Sequence, residues 1–523
     1  MIRKFMLYIM VFCTVITSLP AQTVAGAGNN SCEIVDKMGS MGYVKKLTGD
    51  MSISRFGWCM ESYIYDNNDG TFCVVDVYDD EVYIDTYNKK TMDFIKFHKV
   101  GFLLEKFGGF YCGKDYNYIV FGRDNPAMNK DITTFALVKY DKQTWQIKGI
   151  LELKNNDTIV SLNSGSLRMA EYGNNLIIRT SHQMYNTHQS SASFIVNTET
   201  MTGKYFRQDN SFVSHSFNQY VKTSGKDFAF VDLGDGAPRS VVLRVLPNSA
   251  ESGDLSGARQ EADLFPIPGD GGANCTGVTV GGFEMSDTDY ITAISTIDHS
   301  KVYYYTNFEM WGLDRDERDI VILTVPKNNI SNDAVRKIYL TDYVDKGKCG
   351  SVPYLVRITD DLFMVLWQEF NYSSNNLVDA GLKYVYIDGK GNVIGDIRTF
   401  DGGTLARDCQ PVVINGKVTW FINTLYGHRL FHALEVDLPY ITAECDGKKL
   451  EVNCENVPED SRVYIAFFKD DILTSIAVSS HKGEKLVADK PDGCTKAMVM
   501  VTDNEDKFKP ICTKKIINFE GGF

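Results

Sequence analysis

Four short turns recur along the chain at a spacing that sets the size of its folding unit. They read YNKKTMD (87–93), YDKQTWQ (140–146), VNTETMT (196–202) and IDGKGNV (387–393). Each places Asn or Asp at its second position, where the side chain caps a tight turn between two strands. The first three Asx positions are 53 and 56 residues apart, and the 191 residues to the fourth accommodate three longer units. The pattern therefore indicates a tandem array of units of about 50–60 residues.

A second pattern lies half a unit before the Asx turns. A strand ends, Gly, Asp or Asn residues turn the chain, and a strongly apolar strand returns. This pattern occurs at 63–78, 110–122, 167–180, 220–232, 283–295, 356–369 and 412–423. Each unit thus contains four antiparallel strands, which at this period is typical of a β-propeller. A four-stranded sheet cannot bury both faces alone, so neighbouring sheets stack around an axis.

We predict an all-β fold with a β-propeller of about seven four-stranded blades over residues 43–438. Six or eight blades would also fit, and a series of β-sandwiches or a β-helix is the alternative. Aromatic residues make up 12% of the chain, which favours strands over helices. From 439 the blade pattern gives way to short strands separated by turns such as CDGKK and DNEDK. Residues 439–523 are predicted to form a small Ig-like or fibronectin-like β-sandwich.

The N-terminus has the pattern of an export signal. Two basic residues precede an apolar run at 5–19, and small residues follow up to Ala27. This pattern predicts a signal peptide over 1–27, followed by an N-terminal linker over 28–42. The apolar run is shorter than the roughly 20 residues that a membrane span needs, so an uncleaved anchor is the less favoured alternative. We expect a secreted, extracellular protein without a transmembrane segment after signal removal.

Charge and cysteine spacing exclude several function classes. The net charge of −13 argues against nucleic acid as a partner, because binding to phosphates requires a basic surface. The 12 cysteines are scattered without a C-x-x-C pair, which excludes a zinc ribbon and leaves disulfide pairing open. Acidic loops at 66–70 and 314–319 offer oxygen ligands for structural calcium, but solvated turns are the favoured interpretation. We predict no metal site and no cofactor, with structural calcium as the alternative.

The stretch SHSFNQYV (214–221) places His215 and Asn218 on a strand that should enter a core. Its counterparts in the third and seventh units are SGSLRMAEYG (164–173) and ARDCQPVV (406–413). Innermost strands line the channel of a propeller, so polar side chains there could face solvent and bind a ligand. The candidate ligand-binding residues, including those of nearby rim segments, are Arg168, Arg179, His182, His215, Asn218, Arg239, Asp408 and Gln410. The alternative is that these groups hydrogen-bond neighbouring blades and trapped water.

Four segments, SLRMAEYG, SHSFNQ, GDGAPRS and DCQPVV, resemble uncharacterised secreted proteins of anaerobic Gram-positive bacteria. The resemblance covers most of residues 43–520, and FKPIC (508–512) matches the usual end of that group's C-terminal sandwich. GDGAPRS departs from the more common Gly-Asp-Ala-x-Pro-Arg order. The resemblance implies a repeat-built β region with a small sandwich, and it implies no reaction.

Two function classes fit these patterns. Export, a rim of many loops and the absence of a G-x-S-x-G motif favour a binding or surface-interaction protein that presents its propeller rim to a glycan or protein. The alternative is an exported enzyme, such as a polysaccharide lyase, a glycosidase or a protein similar to arylsulfate sulfotransferases. In that case His215 would shuttle protons and Arg168 would hold a sulfate or carboxylate. No residue is assigned to catalysis.

Overall fold

The computed structural model describes residues 32–40, 56–374, 376–424, 427–503 and 510–519. One compact unit comprises Ser31–Glu435, and the C-terminal unit begins at Val436, close to the predicted boundary at 439. In the described part of the chain, no helix is long and apolar enough to cross a membrane.

The larger unit contains seven antiparallel sheets, numbered I to VII in chain order. Strand β1 (Cys32–Met38) precedes all of them and belongs to sheet VII. Sheet I consists of β2 (Ser62–Asp66), β3 (Thr71–Tyr78), β4 (Glu81–Asn88) and β5 (Phe94–Gly101). Sheet II consists of β6 (Lys106–Cys112), β7 (Tyr116–Gly122), β8 (Phe135–Asp141) and β9 (Ile147–Leu153). Sheet III consists of β10 (Thr158–Ser161), β11 (Arg168–Tyr172), β12 (Asn175–Met184), β13 (Gln189–Asn197) and β14 (Thr202–Phe206).

Sheets IV and V carry the longest insertions between strands. Sheet IV consists of β15 (Ser216–Ser224), β16 (Asp227–Asp235), β17 (Arg239–Leu246) and β18 (Gln260–Pro266), with the short helix α1 (Ser249–Ser252) before β18. Sheet V consists of β19 (Val278–Met285), β20 (Asp289–Thr296), β23 (Asp319–Pro326) and β24 (Arg336–Tyr339). A two-stranded hairpin of β21 (Tyr304–Tyr305) and β22 (Met310–Trp311) is inserted between β20 and β23.

Sheets VI and VII complete the unit. Sheet VI consists of β25 (Lys348–Gly350), β26 (Tyr354–Arg357), β27 (Leu362–Ser373), β28 (Asn376–Asp388) and β29 (Val393–Phe400). Sheet VII consists of β30 (Val412–Ile414), β31 (Lys417–Asn423), β32 (His428–Glu435) and β1. The prediction of seven four-stranded blades is confirmed, with sheets III and VI each carrying one extra short strand beside the innermost position.

The predicted Asx turns join the third and fourth strands of sheets I, II, III and VI. In each turn the side chain of Asn88, Asp141, Asn197 or Asp388 accepts a hydrogen bond from the backbone N–H two residues later, at 2.9, 3.1, 3.1 and 2.9 Å. Each repeat of the sequence pattern therefore forms the same local hydrogen bond. A short segment can encode this bond because both partners lie within it.

Apolar side chains join each sheet to the next around the ring. Shared buried clusters connect sheets I and II, II and III, III and IV, IV and V, and V and VI. Sheets VI and VII meet through Phe400 and Trp420, whose ring centroids are 5.9 Å apart. Sheets VII and I meet where Phe431 packs on Phe72 and Tyr87, at 5.5 and 5.1 Å. The seven sheets thus form a closed propeller.

The ring closes through a strand that lies within the segment predicted to be a linker. Residues Cys32–Met38, within the predicted linker over 28–42, form the outermost strand of sheet VII. They pair antiparallel with β32, from Cys32 opposite Leu434 to Met38 opposite His428. The partner lies almost 400 residues later, so nothing in the local sequence signals this pairing.

A buried ion cluster lies next to this closure. Arg429 of β32 forms an ion pair with Asp85 of β4, and its guanidinium lies 3.7 Å from the carboxylate of Asp76. All three side chains are almost completely buried. Ser40, which follows β1, donates its backbone N–H to Asp85 at 2.9 Å. The cluster therefore links the first sheet, the last sheet and the segment that follows the closing strand.

The C-terminal unit contains two antiparallel sheets around a separate apolar core. Sheet VIII consists of β33 (Tyr440–Cys445), β34 (Lys449–Glu455) and β37 (Leu486–Asp489). Sheet IX consists of β35 (Arg462–Lys469), β36 (Ile472–Ser480), β38 (Lys496–Thr502) and β39 (Lys515–Asn518). The prediction of a small β-sandwich is confirmed.

Candidate functional site

The segment 56–61 crosses the hub, where the innermost strands of the sheets meet. Phe56 packs on Phe217 of β15, with ring centroids 4.6 Å apart. The Trp58 ring then lies 4.3 Å from the guanidinium carbon of Arg407, which precedes sheet VII. This region of the hub therefore contains side chains of the protein itself, of which Phe56 and Trp58 are partly exposed and Met60 is buried.

One predicted ligand-binding residue, Arg168, contacts this segment, and a second, Asp408, lies near enough to influence the pKa of a tyrosine that Arg168 also influences. A guanidinium nitrogen of Arg168 lies 3.2 Å from the sulfur of Met60, and the guanidinium lies over the Tyr220 ring at 5.0 Å. Asp408 is buried. Burial raises the pKa of the Tyr354 phenol well above its usual range, Asp408 raises it further, and Arg168 opposes the shift. Arg168, which is partly buried, and Asp408, which is buried, therefore both influence the pKa of the same tyrosine.

Hydrogen bonds within and between sheets hold three further candidate residues, which are Asn218, Arg179 and His182. Asn218 accepts from the hydroxyl of Ser166 at 2.9 Å and donates to the carbonyl of Val280 at 2.7 Å, which connects sheets III, IV and V. Arg179 is completely buried and forms an ion pair with Asp232 at 2.8 Å.

His182 is completely buried, and its Nδ1 lies 2.7 Å from the hydroxyl of Thr158. Burial lowers the pKa of His182 to about 3, with a smaller contribution from Arg207. The imidazole is therefore neutral near pH 7. Gln410 is half-buried next to Cys409, ahead of β30.

His215 and Arg239 come together at the rim of sheet IV. The His215 ring packs at a tilt of 31° against that of His188, with centroids 4.6 Å apart, and its Nδ1 lies 3.8 Å from Asp235. Asp235 is buried and forms an ion pair with Arg239. His215 thus contacts His188 and Asp235, whereas Arg168 contacts Met60 and Tyr220. Burial lowers the pKa of both imidazoles, and His215 lowers that of His188 further.

Arg239 links this rim to the inserted hairpin of sheet V. Its guanidinium carbon lies 5.0 Å from the centroid of the Tyr305 ring, while its nitrogens donate to the carbonyls of Pro268 and Cys275 at 2.8 and 2.7 Å. The Tyr305 hydroxyl lies 2.7 Å from Nδ1 of His299. A two-stranded hairpin is marginally stable alone, so these contacts fix its position.

The outer side of the hairpin exposes aromatic rings. Tyr304 and Trp311 are direct cross-strand partners, and both side chains are about half exposed. Tyr303 is 76% exposed, and its ring stands edge-on to Trp311 at 6.5 Å. The inward partner, Tyr305, is only 6% exposed. One face of the hairpin is therefore anchored in the propeller and the other presents aromatic surface to solvent.

A cavity of about 340 Å³ lies between the outer parts of sheets IV and V, and His299 in its lining connects it to Tyr305 of the hairpin. Its lining includes Phe265, Asp298, His299, Asp319, Lys337 and Tyr339. Burial, together with the cations Arg318, Arg239 and Lys337 and against the opposing effect of Asp298, lowers the pKa of His299 to about 4, so this imidazole is neutral near pH 7. We call the exposed hairpin rings and this cavity together the hairpin site.

Sequence reasoning missed the hairpin site, although one signal was present. The stretch VYYYTNFEMW (302–311) carries five aromatic residues within ten and lies between the second and third strands of its unit. A solvent-exposed loop that only connects two strands does not require so many aromatic residues. The cavity had no comparable signal, because Phe265, Asp298 and Lys337 come from separate elements.

The acidic loops considered for calcium are internally bonded. In the first, Asp66 accepts from the N–H of Asn68 at 2.8 Å and Asp69 from the N–H of Thr71 at 3.0 Å. In the second, Asp316 forms an ion pair with Arg318 at 2.8 Å. Across the residues that the structure describes, no group of three or more His, Cys, Asp or Glu side chains is arranged to hold a metal ion.

Comparisons with known proteins give structural similarity without a family. No family model matches the chain, and no curated protein matches it. Among solved structures, the N-terminal domain of Nup159 covers 80% of this chain and 98% of its own, with 11% identity and a TM-score of 0.38. The match to hydrazine synthase of Kuenenia stuttgartiensis covers 63% of this chain and 80% of that one, with 9% identity and a TM-score of 0.36. The match to a prolyl endopeptidase structure covers 77% of this chain and 56% of that one, with 8% identity and a TM-score of 0.38.

Proposed function

We propose that this chain is a binding protein that holds its ligand at the hairpin site. The observation that carries the proposal is the exposure of Tyr303, Tyr304 and Trp311 on a hairpin whose inner face is anchored by Tyr305. Large exposed aromatic side chains grouped on one surface mark interaction sites, because their exposure is costly without a partner.

The anchoring contacts support a binding role. Arg239 and His299 hold Tyr305 from two sides, so the outer rings are positioned before a ligand arrives. A positioned surface loses less conformational entropy on binding than a mobile one. The adjoining cavity lies at the lower end of the size range of small-molecule sites. We further propose that binding occurs outside the cell, on the basis of the signal-peptide pattern over 1–27, which lies outside the described residues.

The proposal predicts that ligand binding depends on the hairpin rings. Arrays of glycans and of extracellular proteins are probed with the whole chain and with the double variant Tyr304→Ala/Trp311→Ala. We expect the double variant to bind the wild-type ligand at least about tenfold more weakly, because two aromatic contacts are lost. The matched control is Phe97→Ala, since Phe97 is as exposed as Tyr304 but lies on β5 of sheet I.

The control should bind as the wild-type protein does. Equal binding by the double variant would contradict the proposal, as would a wild-type protein that binds nothing on either array. Because both replaced side chains are about half exposed, the thermal unfolding of the double variant should match that of the control.

A further inference from the structure

We infer that the ligand of the hairpin site is a neutral saccharide. The inference rests on the proposed function and names the chemical class that the site's surfaces fit. Three features carry it: the exposed ring faces, the free polar atoms of the cavity, and the mixture of charges around them.

The exposed rings suit the apolar face of a sugar. Tyr304 and Trp311 stand nearly perpendicular, with centroids 6.1 Å apart and an interplanar angle of 81°. Together with Tyr303 they present ring surfaces in more than one direction. The face of an aromatic ring is electron-rich, and the C–H groups of a pyranose ring are weakly positive, so the two surfaces attract each other.

The cavity offers acceptors that the protein does not use. Asp298 accepts hydrogen bonds from the N–H and hydroxyl of Ser300 at 3.0 and 2.7 Å, both at Oδ1. Asp319 accepts from the hydroxyl of Thr341 and the N–H of Tyr343 at 2.9 and 2.6 Å, also at Oδ1. Among the described residues, no hydrogen bond reaches Oδ2 of either carboxylate. Two acceptors therefore remain for hydroxyl groups of a ligand.

The cavity also offers a donor. The ammonium of Lys337 lies 4.6 Å from the centroid of the Phe265 ring and forms no ion pair with any residue of the described ranges. An ammonium group has three N–H donors and no acceptor. The cavity thus combines an apolar wall, donors and acceptors, which matches a molecule that carries many hydroxyl groups on a C–H framework.

The cavity carries charges of both signs, so a ligand of either charge meets a like charge there, which a neutral ligand avoids. Lys337 would repel an ammonium group, and Asp298 would repel a carboxylate or a sulfate. A hydroxyl group can accept from the first and donate to the second. A protein partner is less suited, because a stable protein interface buries about 800 Å² on each side and the aromatic face here consists of a few side chains.

The test measures the binding of four oligosaccharides of equal length to the whole chain by calorimetry. N-acetylated chitohexaose is neutral, its de-N-acetylated form is cationic, and hexagalacturonate is anionic; cellohexaose serves as a second neutral probe. We expect at least one neutral probe to bind at a concentration of about 1 mM or below, and both charged probes to bind at least about tenfold more weakly.

Variants assign the binding to this site. Trp311→Ala and Lys337→Met should each weaken the binding of the neutral probe about tenfold, whereas Phe97→Ala should leave it unchanged. Asp298→Asn keeps an acceptor at Oδ1 for Ser300. It should therefore retain the fold while weakening the binding of the neutral probe. Its circular dichroism and thermal unfolding provide the check on folding.

The outcomes separate this inference from the proposed function. Preference for a charged probe, or failure of every saccharide to bind, overturns the inference. A protein ligand that requires Tyr304 and Trp311 also overturns it and leaves the proposed function intact. Binding of a saccharide that is unaffected by Trp311→Ala overturns both.

Discussion

Replacing Arg429 by alanine is expected to lower the free energy of unfolding of the propeller by about 3–5 kcal/mol, because it leaves buried carboxylates without their cation. Arg429 is 1% exposed, and the carboxylates of Asp85 and Asp76 beside it are fully buried. The effect is measured by urea unfolding followed by tryptophan fluorescence. All 5 tryptophans of the chain precede residue 436, so the signal reports on the propeller.

The matched control for this prediction is Arg207→Ala. Arg207 also forms an ion pair, with Asp157 at 2.8 Å, but its side chain is 64% exposed. Its loss should cost at most about 1 kcal/mol. Adding Asp85→Asn to the Arg429→Ala variant should restore part of the lost stability, since it removes a buried negative charge. A loss with Arg429→Ala no larger than that of the control would contradict the assignment of this cluster as a buried link at the ring closure.

Asp232→Ala is expected to cause a loss of similar size, about 3–5 kcal/mol, within sheets III and IV. The substitution leaves the guanidinium of Arg179 buried without its anion, and a guanidinium does not lose its proton in proteins. The serine contacts of Arg179, at 2.7 Å to Ser193 and 3.0 Å to the hydroxyl of Ser211, are neutral and replace the charge only in part.

The control here is a paired replacement. The variant Arg179→Met/Asp232→Leu removes both charges at once and should recover most of the stability lost in Asp232→Ala, because two apolar side chains need no ionic partner. If the single variant were as stable as the wild-type protein, Arg179 would not be held by this pair. The candidate role of Arg179 in ligand binding would then regain support.

The parts of the fold that the sequence predicts are those whose signals are local. The Asx turn at Asn88 is encoded by residues within one short segment, and its hydrogen bond to the N–H of Lys90 forms there. Strand β1 has no such local signal, since its partner β32 lies almost 400 residues later in the sequence. The segment 56–61 likewise acquires its place only when sheets III, IV and VII have formed around it.

Polar residues next to apolar segments were the weakest guide to a site. Arg179 lies within β12 and His215 directly precedes β15, yet the first is completely buried in an ion pair and the second lies at a half-exposed rim. A polar residue beside apolar ones has the same sequence signature in both settings. Only the position of its partner, Asp232 or Asp235, distinguishes them, and each partner lies on another strand of the ring.

The ring of seven sheets closes where Cys32–Met38 pairs with β32. This closure is tested by a disulfide between strands β1 and β32 in the variant Met38→Cys/His428→Cys. These residues are direct antiparallel partners, and such partners have Cα atoms about 4.5–5.5 Å apart, within the range of a disulfide. The control Ile34→Cys/His428→Cys moves one thiol four residues along β1, about 13 Å away.

The decisive measurement is mass spectrometry of the oxidised, proteolysed variants, which identifies the peptides joined by each disulfide. The closed propeller predicts a bond between positions 38 and 428 in the first variant and none between positions 34 and 428 in the control. Absence of the first bond, or formation of both bonds to the same extent, would contradict ring closure by the N-terminal strand.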